Sequence, residues 1–313
     1  MPAYNILIAD GLEENGQAIL RSSANVDNHT SVSPEELLKI IEDYDALIVR
    51  SRTKVTAQVF AAATRHNVVG RAGVGVDNID LEAAREPSVT VVNAPESTSL
   101  AVAELTLGLL LSLAREIPRA DAGMKQGDWL KKDLFGIELH GKTLGILGMG
   151  RIGAEVGKRA AAFGMTVLGY DPFIPAGAIR QRGAEPADLD SLYARSDYIS
   201  LHVPLTDETH LMVNEQALGR MKRGVRILCT ARGGLIDEPA LLAALESGQV
   251  AGAALDVYAS EPPGSTDLVR HPKVIATPHV GAQTEEAQER AAEDIAHEVL
   301  AALNGEPLRW KVS

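Results

Sequence analysis

Leu144-Gly145-Ile146-Leu147-Gly148-Met149-Gly150-Arg151-Ile152-Gly153 decides the reading of this chain. Gly148, Gly150 and Gly153 fall in a Gly-x-Gly-x-x-Gly pattern behind a short apolar run and ahead of a helical one. In that setting the first glycine permits a tight turn, the second lets backbone approach a diphosphate, and the third lets helix and strand pack closely. The first N–H groups of the helix then face negative charge. Asp171 closes the next apolar run, 18 residues beyond Gly153. A carboxylate there accepts hydrogen bonds from an adenosine ribose and repels a 2′-phosphate, which predicts NAD rather than NADP. Asp171 also precedes Pro172, so a plain turn-forming role competes with that one.

Outward from the motif, short apolar runs alternate with helical patterns in both directions. Residues 4–9, 45–49, 67–70 and 89–92 read as buried parallel strands. Between them, residues 34–44 begin with Pro34 after Ser33, and residues 56–64 read as a helix capped by Thr56. A Leu/Ala-rich helix over 100–113 is followed by a second helical stretch toward Gln126. The alternation restarts with strands at 143–147, 166–170, 198–201, 225–228, 251–255 and 274–276, with helices at 152–163 and 238–246. Residues 285–303 form one amphipathic helix. Strand and helix in this rhythm make an α/β protein. The expected architecture is two doubly wound parallel-sheet domains, Rossmann-like and flavodoxin-like, separated by a cleft. Residues 1–94 with 283–313 form the outer domain, and 95–282 the inner cofactor domain.

At 313 residues the chain has room for two domains, and 45% hydrophobic residues suit real cores. Thirty basic against 42 acidic side chains give a net charge of −12, which argues against nucleic acid or an anionic membrane as partner. The longest apolar stretch, within 100–113, is broken by Glu104 and falls short of the roughly 18 residues that cross a bilayer. Met1-Pro2-Ala3-Tyr4-Asn5 shows no secretory pattern. A single cysteine, Cys229, excludes an internal disulfide and fits a reducing cytoplasm. No metal-ligand spacing stands out.

Three polar residues follow strands in the second half: Arg232 in Cys229-Thr230-Ala231-Arg232-Gly233-Gly234, Glu261 before Pro262-Pro263, and His279 in Thr277-Pro278-His279-Val280-Gly281. Ligands of open α/β sheets sit at the carboxyl ends of the strands, so all three are placed to share one site. Arginine offers a permanently charged fork for a carboxylate. Histidine carries a proton near neutrality, and a neighbouring glutamate fixes one imidazole tautomer. Taken singly, each is as readily a surface or ion-pair residue.

Taken together, these motifs make the chain resemble the D-isomer-specific 2-hydroxyacid dehydrogenases over nearly its whole length. The resemblance rests on Arg71-Ala72-Gly73-Val74-Gly75-Val76-Asp77-Asn78-Ile79-Asp80, Asn93-Ala94-Pro95, Ala103-Glu104, the glycine motif, Thr230 to Gly234, Ala254-Leu255-Asp256-Val257-Tyr258, and Thr277-Pro278-His279-Val280-Gly281-Ala282. It implies that Arg232 binds the substrate carboxylate, Glu261 supports the histidine, and His279 is the acid and base. It also implies NAD contacts at Arg151, Ile152, Val203, Thr230, Ala231, Gly281 and Ala282, with Asp256 holding the nicotinamide carboxamide. Val74 and Gly75 correspond to amides near the substrate carboxylate. Arg50, Ser51, Arg52 and Arg71 look like a surface for a phosphorylated 2-hydroxy or 2-oxo acid. The region 100–126 resembles a dimerisation segment, which implies a homodimer through the inner domain. Lys131 and Lys132 fall where the family sends a basic residue across that interface.

Ser97-Thr98 stands where the family usually reads Gly-Asn, and Cys229 where an asparagine is common. The chain stops at Ser313, so feedback through the regulatory domains of longer relatives is not expected. Hydroxypyruvate or glyoxylate reduction shares the same three residues and stays open. Formate oxidation is disfavoured, since Glu261 stands where that branch has glutamine. A dinucleotide-sensing corepressor of the same fold is the reading from a different class.

Overall fold

The computed structural model describes residues 4–65, 67–85 and 88–313, so Met1 to Ala3 at the N-terminus lie outside it. Its elements divide into two units, Met1–Ser99 with Ala282–Ser313, and Leu100–Gly281. The division lies beyond position 94 because residues 95–99 are tied to the first unit. There Ser97 Oγ donates to Ala94 O at 2.9 Å and Arg290 Nε donates to Ser97 O at 3.0 Å.

In the first unit the strands are β1 (Tyr4–Ile8), β2 (Ala24–Asn28), β3 (Ala46–Val49), β4 (Val68–Arg71) and β5 (Thr90–Asn93). All are parallel, in the order β2-β1-β3-β4-β5 of flavodoxin-like sheets. Helices α1 (Glu14–Arg21), α2 (Pro34–Ile40), α3 (Ala57–Ala62) and α4 (Leu81–Arg85) connect them, and the terminal helix Glu285–Asn304 joins from the far end of the chain. Successive strand residues serve opposite faces, as a pleat dictates. Ile6 and Ile8 pack with Ile295 and Val299 of the terminal helix, while Leu7, Leu47 and Val49 pack with Phe60. The tail after that helix is pinned by buried Glu298, which accepts the Arg309 and Trp310 amides.

Sequence reading passed over α1 and β2. Helix α1 runs through Gly16, a poor helix former, because a Cβ there would lie 2.5 Å from Ala292 O on the terminal helix. Strand β2 is a largely exposed edge whose Asn and Asp residues carry little strand preference. Thr56 does precede α3, yet its side chain makes no cap hydrogen bond, a correction to the expected cap. Ser33, by contrast, accepts Glu36 N–H at 3.2 Å ahead of Pro34.

The second unit opens with α5 (Ser99–Arg115), which begins at the boundary, and α6 (Ile117–Gln126). Strand β6 (Thr143–Leu147), α7 (Arg151–Ala162) and β7 (Thr166–Tyr170) follow, then α8 (Ala176–Gln181), β8 (Glu185–Pro186), α9 (Leu189–Arg195) and β9 (Tyr198–Leu201). The chain continues through α10 (Glu215–Arg220), β10 (Val225–Cys229), α11 (Glu238–Glu246), β11 (Val250–Leu255), α12 (Asp267–Arg270) and β12 (Val274–Ala276). The sheet is parallel throughout, in the order β12-β11-β10-β9-β6-β7-β8. Strand order reverses between β6 and β9, where such sheets open a crevice at their carboxyl edge. Both faces are apolar: Leu144, Ile146 and Val156 pack with Leu107 and Leu110 of α5 on one side, and Leu147, Ile199 and Ile227 with Leu192 and Leu241 on the other. Among the described residues no helix is long and apolar enough to cross a membrane.

Candidate active site

The carboxyl edge of the second sheet carries most of the residues singled out by sequence. The glycine loop follows β6. Gly148 has φ +93°, and a Cβ on it would lie 2.7 Å from the carbonyl carbon and oxygen of His202. A Cβ on Gly153 would lie 2.0 Å from Gly148 O, so strand and helix meet there too closely for any side chain. Gly150, at the N-cap of α7, faces open space for at least 4 Å, and no side chain caps that helix. The loop therefore leaves a glycine-lined cradle at a helix N-terminus, which fits a diphosphate. Arg151, Ile152 and Gly153 form the first turn beside it.

Asp171 lies just past β7, and its two oxygens are both placed. Oδ2 accepts Met149 N–H of the glycine loop at 3.0 Å, and Oδ1 accepts Phe173 N–H at 2.9 Å. It is thus a turn acid and a brace of the cofactor loop at once. Arg182 donates to Met149 O, clamping the same residue from the other side. Val203 follows β9 and His202, whose Nε2 lies 2.8 Å from Ser200 Oγ while Nδ1 is buried without a hydrogen-bond partner among the described residues. Burial pushes the His202 imidazole down to about 3, so it stays neutral near pH 7. Sequence reading missed His202, which carries no motif of its own.

Arg232, Glu261 and His279 come from loops after β10, β11 and β12, three adjacent parallel strands. His279 Nδ1 lies 2.7 Å from Glu261 Oε2, and Glu261 Oε1 accepts Tyr258 N–H at 3.1 Å. His279 has φ +54°, a left-handed conformation unfavourable for a non-glycine residue. The bonds that hold it come from Asp256, fully buried, whose carboxylate accepts Thr277 Oγ1–H at 2.6 Å, Val280 N–H at 2.9 Å and Gly281 N–H at 2.8 Å. Asp256, read from sequence as a carboxamide contact, thus has its oxygens occupied by the loop that presents His279. Ala282, the last of the expected NAD contacts, belongs to the first unit, where its carbonyl accepts Gln288 Nε2–H at 2.6 Å.

Around Arg232 the backbone is held locally. Arg232 Nη1 donates to Ala231 O at 2.7 Å, and Cys229 Sγ–H donates to Arg232 O at 3.6 Å. Burial pushes the Cys229 thiol up to about 11, which keeps it protonated and suited to donating. Thr230 is buried in the same loop.

The expected substrate contacts Arg50, Ser51, Arg71, Val74 and Gly75 all lie in the first unit, at the end of β4 (Arg71) or in the loops after β3 and β4. Asp10 clamps the β3 loop by accepting Arg50 N–H at 2.8 Å, Thr53 N–H at 3.1 Å and Thr53 Oγ1–H at 2.6 Å. Asn78 Nδ2 donates to Arg50 O and Thr53 O. Arg50 is paired with Glu13, and Arg52 with Asp10 at 3.1 Å. The Arg71 guanidinium folds over Gly73 and donates to Ala72 O at 2.9 Å, while Val74 O accepts Asn93 Nδ2–H at 2.7 Å. Ser51 is exposed. No group of three or more His, Cys, Asp or Glu that could hold a metal ion occurs among the described residues.

Comparison with known proteins follows the same lines. The family model for the D-isomer specific 2-hydroxyacid dehydrogenase NAD binding domain matches residues 107–281. D-3-phosphoglycerate dehydrogenase of Methanocaldococcus jannaschii is 50% identical over 302 residues, 96% of this chain and 58% of its own length. The Rattus norvegicus protein of that name is 49% identical over 309 residues, 98% of this chain and 58% of its own. The chain thus spans less than two thirds of the length of these curated relatives. Among solved structures, a Thermus thermophilus protein superposes with TM-score 0.90 at 38% identity, covering 99% of this chain and 100% of that one. A glyoxylate reductase from Paecilomyes thermophila gives TM-score 0.91 at 31% identity, covering 100% and 99%.

Proposed function

Because this chain belongs to the D-isomer specific 2-hydroxyacid dehydrogenase family, we propose that it interconverts a D-2-hydroxy acid and its 2-oxo acid with NAD, the pair being D-3-phosphoglycerate and 3-phosphohydroxypyruvate. That pair places the reading in serine biosynthesis. The observation that carries it is the 2.7 Å contact of His279 with Glu261 at the carboxyl edge of the sheet that bears the glycine cradle.

The cradle of Gly148, Gly150, Arg151, Ile152 and Gly153, with Asp171 at the ribose, would hold NAD, which when bound would supply the hydride acceptor or donor. Val203, Thr230, Ala231, Gly281 and Ala282 are its further contacts in this reading, and Asp256 serves it by holding the His279 loop. Glu261 accepts the Nδ1 proton of His279, so the Nε2 lone pair is the base toward a substrate hydroxyl. In the reverse direction protonated Nε2 delivers that proton to the forming alkoxide. Arg232 supplies a charged fork to the substrate carboxylate and polarises the carbonyl. Val74 and Gly75 offer amides to the carboxylate, and Arg50, Ser51 and Arg71 attract the phosphate.

The names of the 50% and 49% identical relatives support the phosphorylated substrate. Hydroxypyruvate or glyoxylate is the second reading, favoured by the ion pairs that already occupy Arg50 and Arg52. NADH oxidation with 3-phosphohydroxypyruvate, hydroxypyruvate and glyoxylate separates them by kcat/KM. The phosphorylated acid should lead. Negligible turnover of all three, with NADH still bound, would favour a sensing protein instead.

The cytoplasm is the compartment in this reading, in keeping with a single buried free thiol. A homodimer through the second unit is the assembly, supported by exposed Ile117, Met124, Trp129 and Phe135 in one stretch, with Lys131 and Lys132 exposed between them. Sedimentation at micromolar concentration tests it, and a monomer would exclude it.

A further inference from the structure

Val102 and Thr106 lie four residues apart on α5, so they project from one face of that helix. Thr106 is 1% exposed, a buried polar side chain on a helix rich in Leu and Ala. Its Oγ1 lies 2.8 Å from Val102 O and 2.8 Å from Thr230 Oγ1, itself 6% exposed. A hydroxyl has one proton. With that proton on Val102 O, Thr106 accepts from Thr230, and the direction of the pair is set. Thr230 stands two residues before Arg232, whose carbonyl is held from within the loop by the Cys229 thiol.

One turn earlier on the same face, Val102 packs against the other loop. A Cβ on Gly281 would lie 3.3 Å from Val102 Cγ2 and 3.2 Å from Asp256 Oδ2. Gly281 is two residues beyond His279, and its amide is one of the Asp256 bonds that fix the loop. A single helical face therefore abuts both the arginine loop and the histidine loop. Neither Val102 nor Thr106 is itself among the proposed ligand contacts, so both residues act through their neighbours.

We infer that α5 is a brace for the reacting groups, with Thr106 as a positioning residue for Arg232 through the Thr106–Thr230 hydroxyl pair and Val102 as the packing stop behind the His279 loop. The inference rests on the roles proposed for Arg232 and His279. A hydroxyl pair, unlike an apolar contact, fixes a loop in one orientation, and breaking it strands the Thr230 hydroxyl in a buried position.

The test compares Thr106→Val, which keeps the shape and removes the hydroxyl, with Thr106→Ser, which keeps the hydroxyl. On whichever 2-oxo acid the parent turns over best, Thr106→Val should lose about tenfold in kcat/KM, roughly one buried hydrogen bond, mainly by raising KM for the oxo acid. NADH affinity by fluorescence titration should move less than about threefold, and Thr106→Ser should recover most of the loss. Unchanged kcat/KM in Thr106→Val, or a loss that Thr106→Ser does not recover, overturns the brace. Hydrogen exchange over residues 229–234 reads it without turnover. Faster exchange in Thr106→Val but not in Thr106→Ser supports the brace even if no acid on the panel is a substrate; equal exchange in all three proteins overturns it.

Discussion

His279 Nδ1 and Glu261 Oε2 meet at 2.7 Å, and the other oxygen of that carboxylate is fixed by the Tyr258 amide. The glutamate is therefore not a swinging surface acid but an orienter with both oxygens placed. Its contact with Nδ1 leaves Nε2 to exchange the proton. His279→Ala should lower kcat by about 10²- to 10⁴-fold, the usual worth of a positioned acid–base group. NADH affinity should change little, because the glycine cradle lies on another loop and the His279 side chain is not among the proposed NAD contacts. Glu261→Gln keeps the shape but removes the charge, and should give a smaller loss than His279→Ala. Steady-state kinetics with fluorescence titration of NADH checks both, and a retained rate in His279→Ala removes it as acid and base.

The three glycines of the cofactor loop should separate binding from folding. Gly150 faces open space, so Gly150→Ala should leave the melting temperature nearly unchanged while weakening NADH binding, since its methyl group enters the cradle. Gly153→Ala places a Cβ 2.0 Å from Gly148 O and should destabilise the loop by about 1–3 kcal/mol, the range of overpacking. Thermal unfolding with and without NADH distinguishes the two. Equal NADH affinity in Gly150→Ala and the parent would mean that the diphosphate is not held there.

Asp171 calls for a substitution that spares at least one of its two backbone bonds. Alanine would lose the contacts to Met149 N and Phe173 N together with the charge. Asp171→Asn retains an acceptor oxygen and drops the charge, so the ratio of NADP to NAD efficiency should rise by about tenfold or more, or ~1.4 kcal/mol of relieved repulsion. An unchanged ratio in Asp171→Asn would reject the carboxylate as the selector.

What the sequence shows and what it hides divide along a physical line. Strands such as β7, β9 and β12 and helix α11 were legible to the residue, because apolar runs there are cut off by glycine, proline or charge. Strand β2 was not, since an edge open to water needs no apolar pattern. Helix α1 was not, since the helix that makes Gly16 tolerable arrives more than 270 residues later. The same holds at the site. Gly148, Gly153, Arg232 and His279 are dictated by local chemistry and stand out as residue types. Asp256 as holder of the His279 loop and Thr106 as partner of Thr230 are made only by tertiary contact, the latter across 124 residues. No local pattern marks them.

His202 gives the pH dependence a definite sign. Its Nδ1 is buried without a hydrogen-bond partner among the described residues, and burial takes the imidazole from 6.5 down to about 3. In the unfolded chain the same ring binds a proton near 6.5. A depressed folded value means that the contribution to stability is fully present above pH 6.5. It is lost as pH falls from there toward 3, because only the unfolded state gains the proton. The slope reaches about 1.4 kcal/mol per pH unit, so acidification from pH 7 to 5 should cost up to about 2 kcal/mol through this residue. His202→Gln keeps a polar group toward Ser200 Oγ but cannot titrate. It should start less stable than the parent at pH 7 and lose less on acidification. Urea midpoints of both proteins at pH 7, 6 and 5 measure the difference, and parallel losses would show that the acid sensitivity lies with other groups.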